Sequence, residues 1–207
     1  MRPITPRAEP AGFHAKVRVP GVQFLRANPQ PTNKEYKNNN YWQLALNEMY
    51  EAYSGICVYL CHWIPRDVAR ATIDHYKPKV KYPQLAYEWT NFRLCSDKMN
   101  NYKDEHEDVL DPFALGPDWF AIDFSSYLVE PGPGLSQKKI AAVQATIQRL
   151  RLNADDSFVQ QRCRVVGQYV RDEITLLHMD NTYPFIAEEL RRQGLTEAIK
   201  GMYRTAK

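Results

Sequence analysis

The sequence predicts an α+β protein, in which short strands and a small helix are embedded in a mainly helical chain. Apolar residues recur at helical spacing from Trp42 to Tyr53 and again beyond Ser136. Between these regions, short apolar runs are separated by a proline-containing loop, as expected for short strands. The chain has 207 residues, of which 44% are hydrophobic and 25% charged, so it can bury a core and is not a disordered chain.

Charge and hydropathy exclude several classes of function. The net charge is +3, from 27 basic and 24 acidic residues, so a nucleic-acid surface would have to be a local basic patch. No apolar run approaches the ~18 residues that a membrane helix needs. The first ten residues, MRPITPRAEP, lack the apolar segment of a secretory signal. We therefore expect a cytoplasmic protein that does not contact membranes.

The N-terminal arm, residues 1–34, contains six prolines. Proline fixes φ and disfavours helix at the preceding residue, so we expect this arm to be extended. Its apolar residues indicate that parts of it pack on another segment; they are Phe13, Val17, Val19, Val22, Phe24 and Leu25. After the arm, the spacing predicts one helix that starts near Asn38 and stops at Gly55. Its apolar face consists of Trp42, Leu46, Met49, Tyr50 and Tyr53.

Three short strands and a helix are predicted next. The strands are Ile56–Leu60, Ala71–His75 and Asn91–Leu94, with a polar loop over 76–90 and a helix over Cys95–Lys103. Residues 104–134 are predicted to be irregular. Helices are predicted around 140–150, after an Asn153–Asp156 start, and from Pro184 to Gly194. The first of these helices has an apolar stripe that either joins the core or binds a partner.

Four polar residues in the middle of the chain suggest the chemistry of phosphodiester hydrolysis. A neutral histidine such as His75 can activate water, and a divalent cation can neutralise the charge of the phosphate. Asp74 and the amide oxygen of Asn100 are suitable ligands for a hard cation such as Mg²⁺ or Mn²⁺. Asn91 can orient the His75 ring by accepting a hydrogen bond. If the strand ends at His75, the adjacent side chains of Asp74 and His75 can both reach one site.

The segment TIDHYKPK … YEWTNFRLCSDKMNNYK resembles the HNH endonucleases, whose core is the ββα-metal fold. That family has an Asp-His pair at the end of a strand, an Asn before the next strand and an Asn or His nine residues later on a helix. The resemblance implies that His75 is the general base, that Asp74 and Asn100 bind the metal ion and that Asn91 orients the base. It also implies an HNH core with a preceding helix over 35–112 and a helical C-terminal region over 113–207.

The wider sequence resembles the small HNH nucleases of bacterial anti-phage systems, such as Septu and some retrons. The similar segments are MRPI…EP, YSGIC and HEDVLDPF … WFAIDF. This resemblance implies a DNA-cleaving effector that works beside an ABC/SMC-like ATPase. Two alternatives remain open at this point: a non-catalytic interaction subunit on a decayed HNH fold, and an effector that cleaves RNA, including tRNA.

Basic residues flank the four site residues in the sequence. They are expected to contact phosphates without reading base sequence, or else to form a solvated face. The candidates are Lys77, Lys79, Arg93, Lys98 and Lys103.

The cysteines suggest a broken zinc clamp. Many HNH proteins bind a structural zinc ion through two CxxC pairs, whereas here three residues separate Cys57 from Cys61, and Cys95 has no second cysteine beside it. A tetrahedral zinc site needs four ligands. We therefore expect buried thiols without zinc, and three thiolates with His62 are the alternative.

Overall fold

The structure is a computed structural model that describes residues 1–204, so the last three residues of the predicted C-terminal region lie outside it. The chain divides into two compact units. The site unit comprises Ile4–Val58 and Ile64–Glu107. The helical unit comprises Met1–Pro3, Tyr59–Trp63 and the chain from Asp108 onward.

The site unit contains two antiparallel strands and several short helices. Its helices are α1 (Val19–Ala27), α2 (Asn33–Asn38), α3 (Leu46–Ala52) and α4 (Asp97–Lys103). Its strands are β1 (Ala71–His75) and β2 (Phe92–Ser96). A π-helical turn (His14–Arg18) leads into α1, and 3₁₀ turns lie at Tyr41–Ala45, Pro83–Leu85 and Trp89–Asn91.

The strands β1 and β2 form a ladder in which Asp74 faces Arg93 and His75 faces Phe92. Helix α4 follows β2 directly because the Ser96 side chain accepts a hydrogen bond from the Met99 amide at 3.4 Å and caps the first turn. Helix α4 packs on both strands. The predicted order of strand, loop, strand and helix over 71–103 is therefore present.

The predicted strand at Ile56–Leu60 is wrong. Helix α3 ends at Ala52, three residues before the predicted stop at Gly55, whose φ is 67° and whose amide donates to the Tyr50 carbonyl at 2.7 Å. The chain then turns, and a bond from the Val58 amide to the Leu94 carbonyl at 2.9 Å joins it to β2. Cys57, Val58 and Tyr59 are buried, but the backbone here forms turns and no strand ladder. Apolar composition alone does not distinguish a strand from a buried turn.

The predicted extended arm is also wrong over residues 14–27, which are helical. Pro20 stands in the first turn of α1, where a helix needs no amide donor. Phe13 is buried, with its ring centroid 5.6 Å from that of Trp89. Gly21 lies so close to the Tyr87 ring that a Cβ would come within 2.1 Å of it. Residues 4–34 are thus an integral layer of the site unit.

The helical unit contains a hairpin in the stretch that was predicted to be irregular. Its strands are β3 (Phe120–Asp123) and β4 (Leu128–Pro131). Its helices are α5 (Gln137–Arg149), α6 (Asp156–Val170), α7 (Leu176–Thr182), α8 (Pro184–Arg192) and α9 (Leu195–Arg204). Helices α5, α6 and α8 were predicted, whereas α7 and α9 were not. The elements together make the fold α+β. Within the described residues, no helix is long and apolar enough to cross a membrane.

Candidate active site

Three of the four predicted site residues line one cleft of about 430 Å³ in the site unit. They are Asp74, His75 and Asn100. Asp74 and His75 are the last two residues of β1, where they pair with Arg93 and Phe92, and both line the cleft. Asn100 reaches the same cleft from α4 because that helix packs on β1. The cleft therefore combines a carboxylate, an imidazole and an amide.

The His75 ring is fixed by a carbonyl and two aromatic rings. Its Nε2 lies 2.8 Å from the Ala86 carbonyl oxygen. Because a carbonyl only accepts, Nε2 carries the proton and the neutral ring keeps a lone pair on Nδ1. The Trp42 and Phe92 rings meet the imidazole edge-on, at centroid distances of 4.8 and 5.2 Å.

Burial lowers the pKa of His75 to about 3, and the positive charges of Lys79 and Lys103 act in the same direction. The imidazole is therefore neutral at physiological pH. A neutral imidazole with one defined tautomer can accept a proton from water without first losing its own.

Asp74 forms a buried ion pair with Lys103. The Lys103 Nζ lies 3.2 Å from Oδ1 of Asp74, and the side chains are 0% and 3% exposed, respectively. The same ammonium donates to the carbonyl oxygens of His75 at 3.0 Å and Asp104 at 3.3 Å. Lys103 therefore neutralises the carboxylate and also holds the backbone at the end of β1.

Asn91 does not contact the His75 ring as the sequence predicted. Its Oδ1 accepts from the Lys77 amide at 2.8 Å, and its Nδ2 donates to the carbonyls of Lys77 at 3.0 Å and Leu85 at 3.1 Å. The Ala86 carbonyl instead orients the ring. Asn91 influences the ring indirectly, because its hydrogen bonds to Lys77 and Leu85 hold the loop that carries Ala86.

The donors in the cleft suit a hard cation that keeps most of its water ligands. Asp74 offers a carboxylate and the half-buried Asn100 an amide oxygen, which is the oxygen chemistry that Mg²⁺ prefers. Asp104 and Glu105 also line the cleft and add negative charge. Within residues 1–204, no group of three or more His, Cys, Asp or Glu side chains could hold a metal ion by itself.

The predicted basic residues separate into accessible and buried ones. Lys98 is exposed on α4, and Lys77 is half-buried. Lys79 lines the cleft with its Nζ 5.7 Å from the Trp42 ring centroid, and burial lowers its pKa. Nearby carboxylates oppose that shift.

Arg93 and Lys103 do not fit the predicted role in phosphate binding. Arg93 is 3% exposed and donates to the carbonyls of Thr90 at 2.8 Å and Phe92 at 2.9 Å. Lys103 is fully buried in its ion pair with Asp74. Carbonyl or carboxylate oxygens of the protein already bind both cations, so a nucleic acid could contact neither without unfolding this part of the site unit.

The cysteines Cys57, Cys61 and Cys95 are free thiols and are buried as predicted, whereas Cys163 is exposed. Burial raises the pKa of both Cys61 and Cys95. These shifts favour the neutral thiol over the thiolate that a zinc ion requires.

Two features of the site gave no usable signal in the sequence. Every residue has a carbonyl, so nothing singles out Ala86. Glu107 lies in the stretch that was predicted to be irregular, yet its carboxylate accepts hydrogen bonds from Tyr82 and two lysines of the site unit. Comparison of the chain with models of known protein families and with curated proteins finds no match.

Proposed function

We propose that the chain is a metal-dependent endonuclease of the HNH class, which hydrolyses phosphodiester bonds in DNA. The observation that carries this proposal is the shared cleft of Asp74, His75 and Asn100. The order strand, loop, strand and helix over 71–103 and the resemblance of that segment to HNH endonucleases support it.

His75 is the proposed general base. Its Nδ1 takes a proton from water, and the oxygen of that water forms the new bond to phosphorus while the bond to the 3′ oxygen breaks. When bound by Asp74 and Asn100, Mg²⁺ or Mn²⁺ supplies positive charge that stabilises the transition state and the departing oxygen. The resemblance implies a product with a 5′ phosphate.

Lys79 is proposed to bind a non-bridging oxygen of the scissile phosphate. It is a half-buried cation of the cleft, and its position is restrained because the Tyr36 hydroxyl donates to its carbonyl at 3.0 Å. A positioned cation beside a phosphate stabilises the negative charge on its oxygens.

The test is cleavage of supercoiled plasmid DNA by the purified chain with Mg²⁺ or Mn²⁺, with and without EDTA. We expect cleavage that EDTA abolishes and that His75→Ala lowers by at least about 100-fold, as for loss of a general base. His178→Ala is the matched control, because it removes an exposed histidine of the helical unit. Cutting in EDTA, or full activity of folded His75→Ala, would overturn the mechanism.

The second candidate is a non-catalytic subunit on the same fold. The buried Asp74–Lys103 pair favours it, because the carboxylate already has a cation beside it and needs no metal ion for neutralisation. Titration calorimetry with Mn²⁺ separates the two candidates. Heat of binding that Asp74→Asn abolishes supports the nuclease, and a folded protein without such heat supports the non-catalytic subunit.

The proposed setting is a cytoplasmic anti-phage complex with an ABC/SMC-like ATPase, and it rests on the resemblance alone. We expect the chain to co-purify with an ATPase encoded beside it and to be toxic when released. A parallel assay with tRNA and other RNA tests the RNA-cleaving alternative, because the proposed chemistry does not require a 2′ hydroxyl.

A further inference from the structure

Three donors of the site unit converge on the single carboxylate of Glu107. Oε1 accepts from the Lys77 ammonium at 3.2 Å and from the Tyr82 hydroxyl at 2.8 Å. Oε2 accepts from the Lys81 ammonium. Both ammonium groups also lie 5.5 Å from the centroid of the Tyr82 ring. Two cations, a hydroxyl and an aromatic ring therefore surround one anion.

The loop that carries these donors is held in place without Glu107. Asn91 bonds both the amide and the carbonyl of Lys77. The amides of Lys81 and Tyr82 donate to the Pro78 carbonyl at 3.1 and 2.8 Å. The backbone of the donor cluster is thus fixed by its own hydrogen bonds, and the Glu107 carboxylate is an occupant that can leave.

The bonds to Glu107 are easily exchanged for bonds to another anion. The side chains of Lys77 and Lys81 are 39% and 63% exposed, and that of Glu107 is 25% exposed. Ion pairs at this exposure contribute little to stability, because water screens them. Hydrogen bonds from Lys81 and Tyr82 lower the pKa of Glu107 to about 2, so the occupant is always an anion near neutral pH.

We propose that Lys77, Lys81 and Tyr82 form a binding site for a backbone phosphate of DNA, and that Glu107 occupies this site as a phosphate mimic until DNA displaces it. The proposal deepens the function proposed above and rests on it for the identity of the ligand. Asn91 becomes a positioning residue for this phosphate site, because it holds the Lys77 backbone.

The proposal predicts that removing the negative charge of Glu107 strengthens DNA binding more than removing a negative charge elsewhere on the surface does. In Glu107→Gln, the two lysines are released for a phosphate, while the amide oxygen can still accept from Tyr82. Each additional phosphate contact steepens the dependence of log K on log salt by about 0.9, so binding becomes about tenfold tighter near ~0.1 M salt. If Glu107 were only a structural clamp, its loss would instead loosen the loop and weaken binding.

The experiment measures fluorescence anisotropy of a short labelled DNA duplex over a KCl series, in EDTA so that no cleavage occurs. The variants are Glu107→Gln, Glu107→Gln with Lys81→Met, and the control Glu51→Gln. Glu51 is exposed on α3 and forms no ion pair within residues 1–204, so the control removes the same charge without releasing a lysine. A thermal melt of each variant reports folding.

We expect tighter, more salt-dependent binding for Glu107→Gln than for Glu51→Gln, with the gain lost when Lys81→Met is added. Equal binding by the two single variants, or weaker binding by Glu107→Gln, overturns the phosphate site. A gain for single-stranded RNA and none for DNA overturns DNA as the ligand. Plasmid cleavage with Mg²⁺ is scored separately: no cleavage together with the predicted gain refutes the nuclease and leaves the phosphate site standing.

Discussion

Replacing Lys103 by methionine tests the buried centre of the site unit. The side chain is 0% exposed and pairs with Asp74, whose side chain is 3% exposed. Methionine has a similar length and fills the same apolar space, but it removes the charge and all donors. The Asp74 carboxylate would then be buried without this counter-ion, and the carbonyls of His75 and Asp104 would each lose a donor.

The expected loss of stability is large because solvent does not screen this pair. Breaking a buried ion pair from one side costs about 3–5 kcal/mol, and leaving a buried acceptor unsatisfied costs about 1–3 kcal/mol. These contributions overlap, since they belong to one ammonium group. We therefore expect the free energy of unfolding to fall by about 3–5 kcal/mol in Lys103→Met.

The measurement is urea unfolding at neutral pH, followed by tryptophan fluorescence, to which Trp42 and Trp89 of the site unit contribute. Lys98→Met, an exposed change on the same helix, is expected to stay within about 0.5 kcal/mol of the wild-type chain. The double variant with Asp74→Asn should lose at least about 1 kcal/mol less than the sum of the single variants. A Lys103→Met protein as stable as Lys98→Met would refute the ion pair as described.

Three further predictions concern the same unit. The pKa of His75 is about 3 in the folded chain and near ~6.5 when unfolded, so the unfolded chain binds more protons between these values and stability falls as pH falls through that window. His75→Asn should reduce the slope of unfolding free energy against pH there by up to about 1.4 kcal/mol per unit, and an unchanged slope in urea titrations would contradict this burial. Asn91→Ala removes three bonds from the loop over 76–90, so trypsin should cut after Lys79 and Lys81 in that loop faster than in the wild-type chain, as followed by mass spectrometry. Gly21→Ala places a Cβ against the Tyr87 ring and should destabilise by about 1–3 kcal/mol in a thermal melt, whereas a neutral result would argue against the packing of α1.

The elements that the sequence predicted well have strong local signals. Strand β1 has its predicted bounds, Ala71–His75, because an apolar run is followed by a proline-containing loop. The helix before Gly55 begins as a 3₁₀ turn at Tyr41 and continues as α3, with its predicted aromatic face largely buried. Spacing and turn residues are enough in such segments, since neighbours in sequence decide the conformation.

The elements that were missed depend on contacts between distant segments. The helix over 14–27 was predicted to be extended because of its prolines, but Phe13 and Val17 are buried, and Gly21 packs on Tyr87. The hairpin of β3 and β4 lies in a stretch with many turn residues, and it exists through pairing of Phe120–Asp123 with Leu128–Pro131. Propensity is a weak guide where packing supplies most of the stabilisation.

The sequence by itself determined which chemical groups could act and where they lie along the chain: Asp74, His75, Asn91 and Asn100, with lysines between them. Only the tertiary structure decided where each group lies and what it contacts. In the structure, Asp74, His75 and Asn100 line one cleft. Asn91 bonds the loop over 76–90 and not the histidine, and Lys103 is a buried counter-ion and not a surface cation. The reason is physical: residue type sets charge and hydrogen-bonding capacity, whereas burial and partners set protonation state and accessibility. Both depend on residues distant in the chain, as the Ala86 carbonyl and Glu107 show.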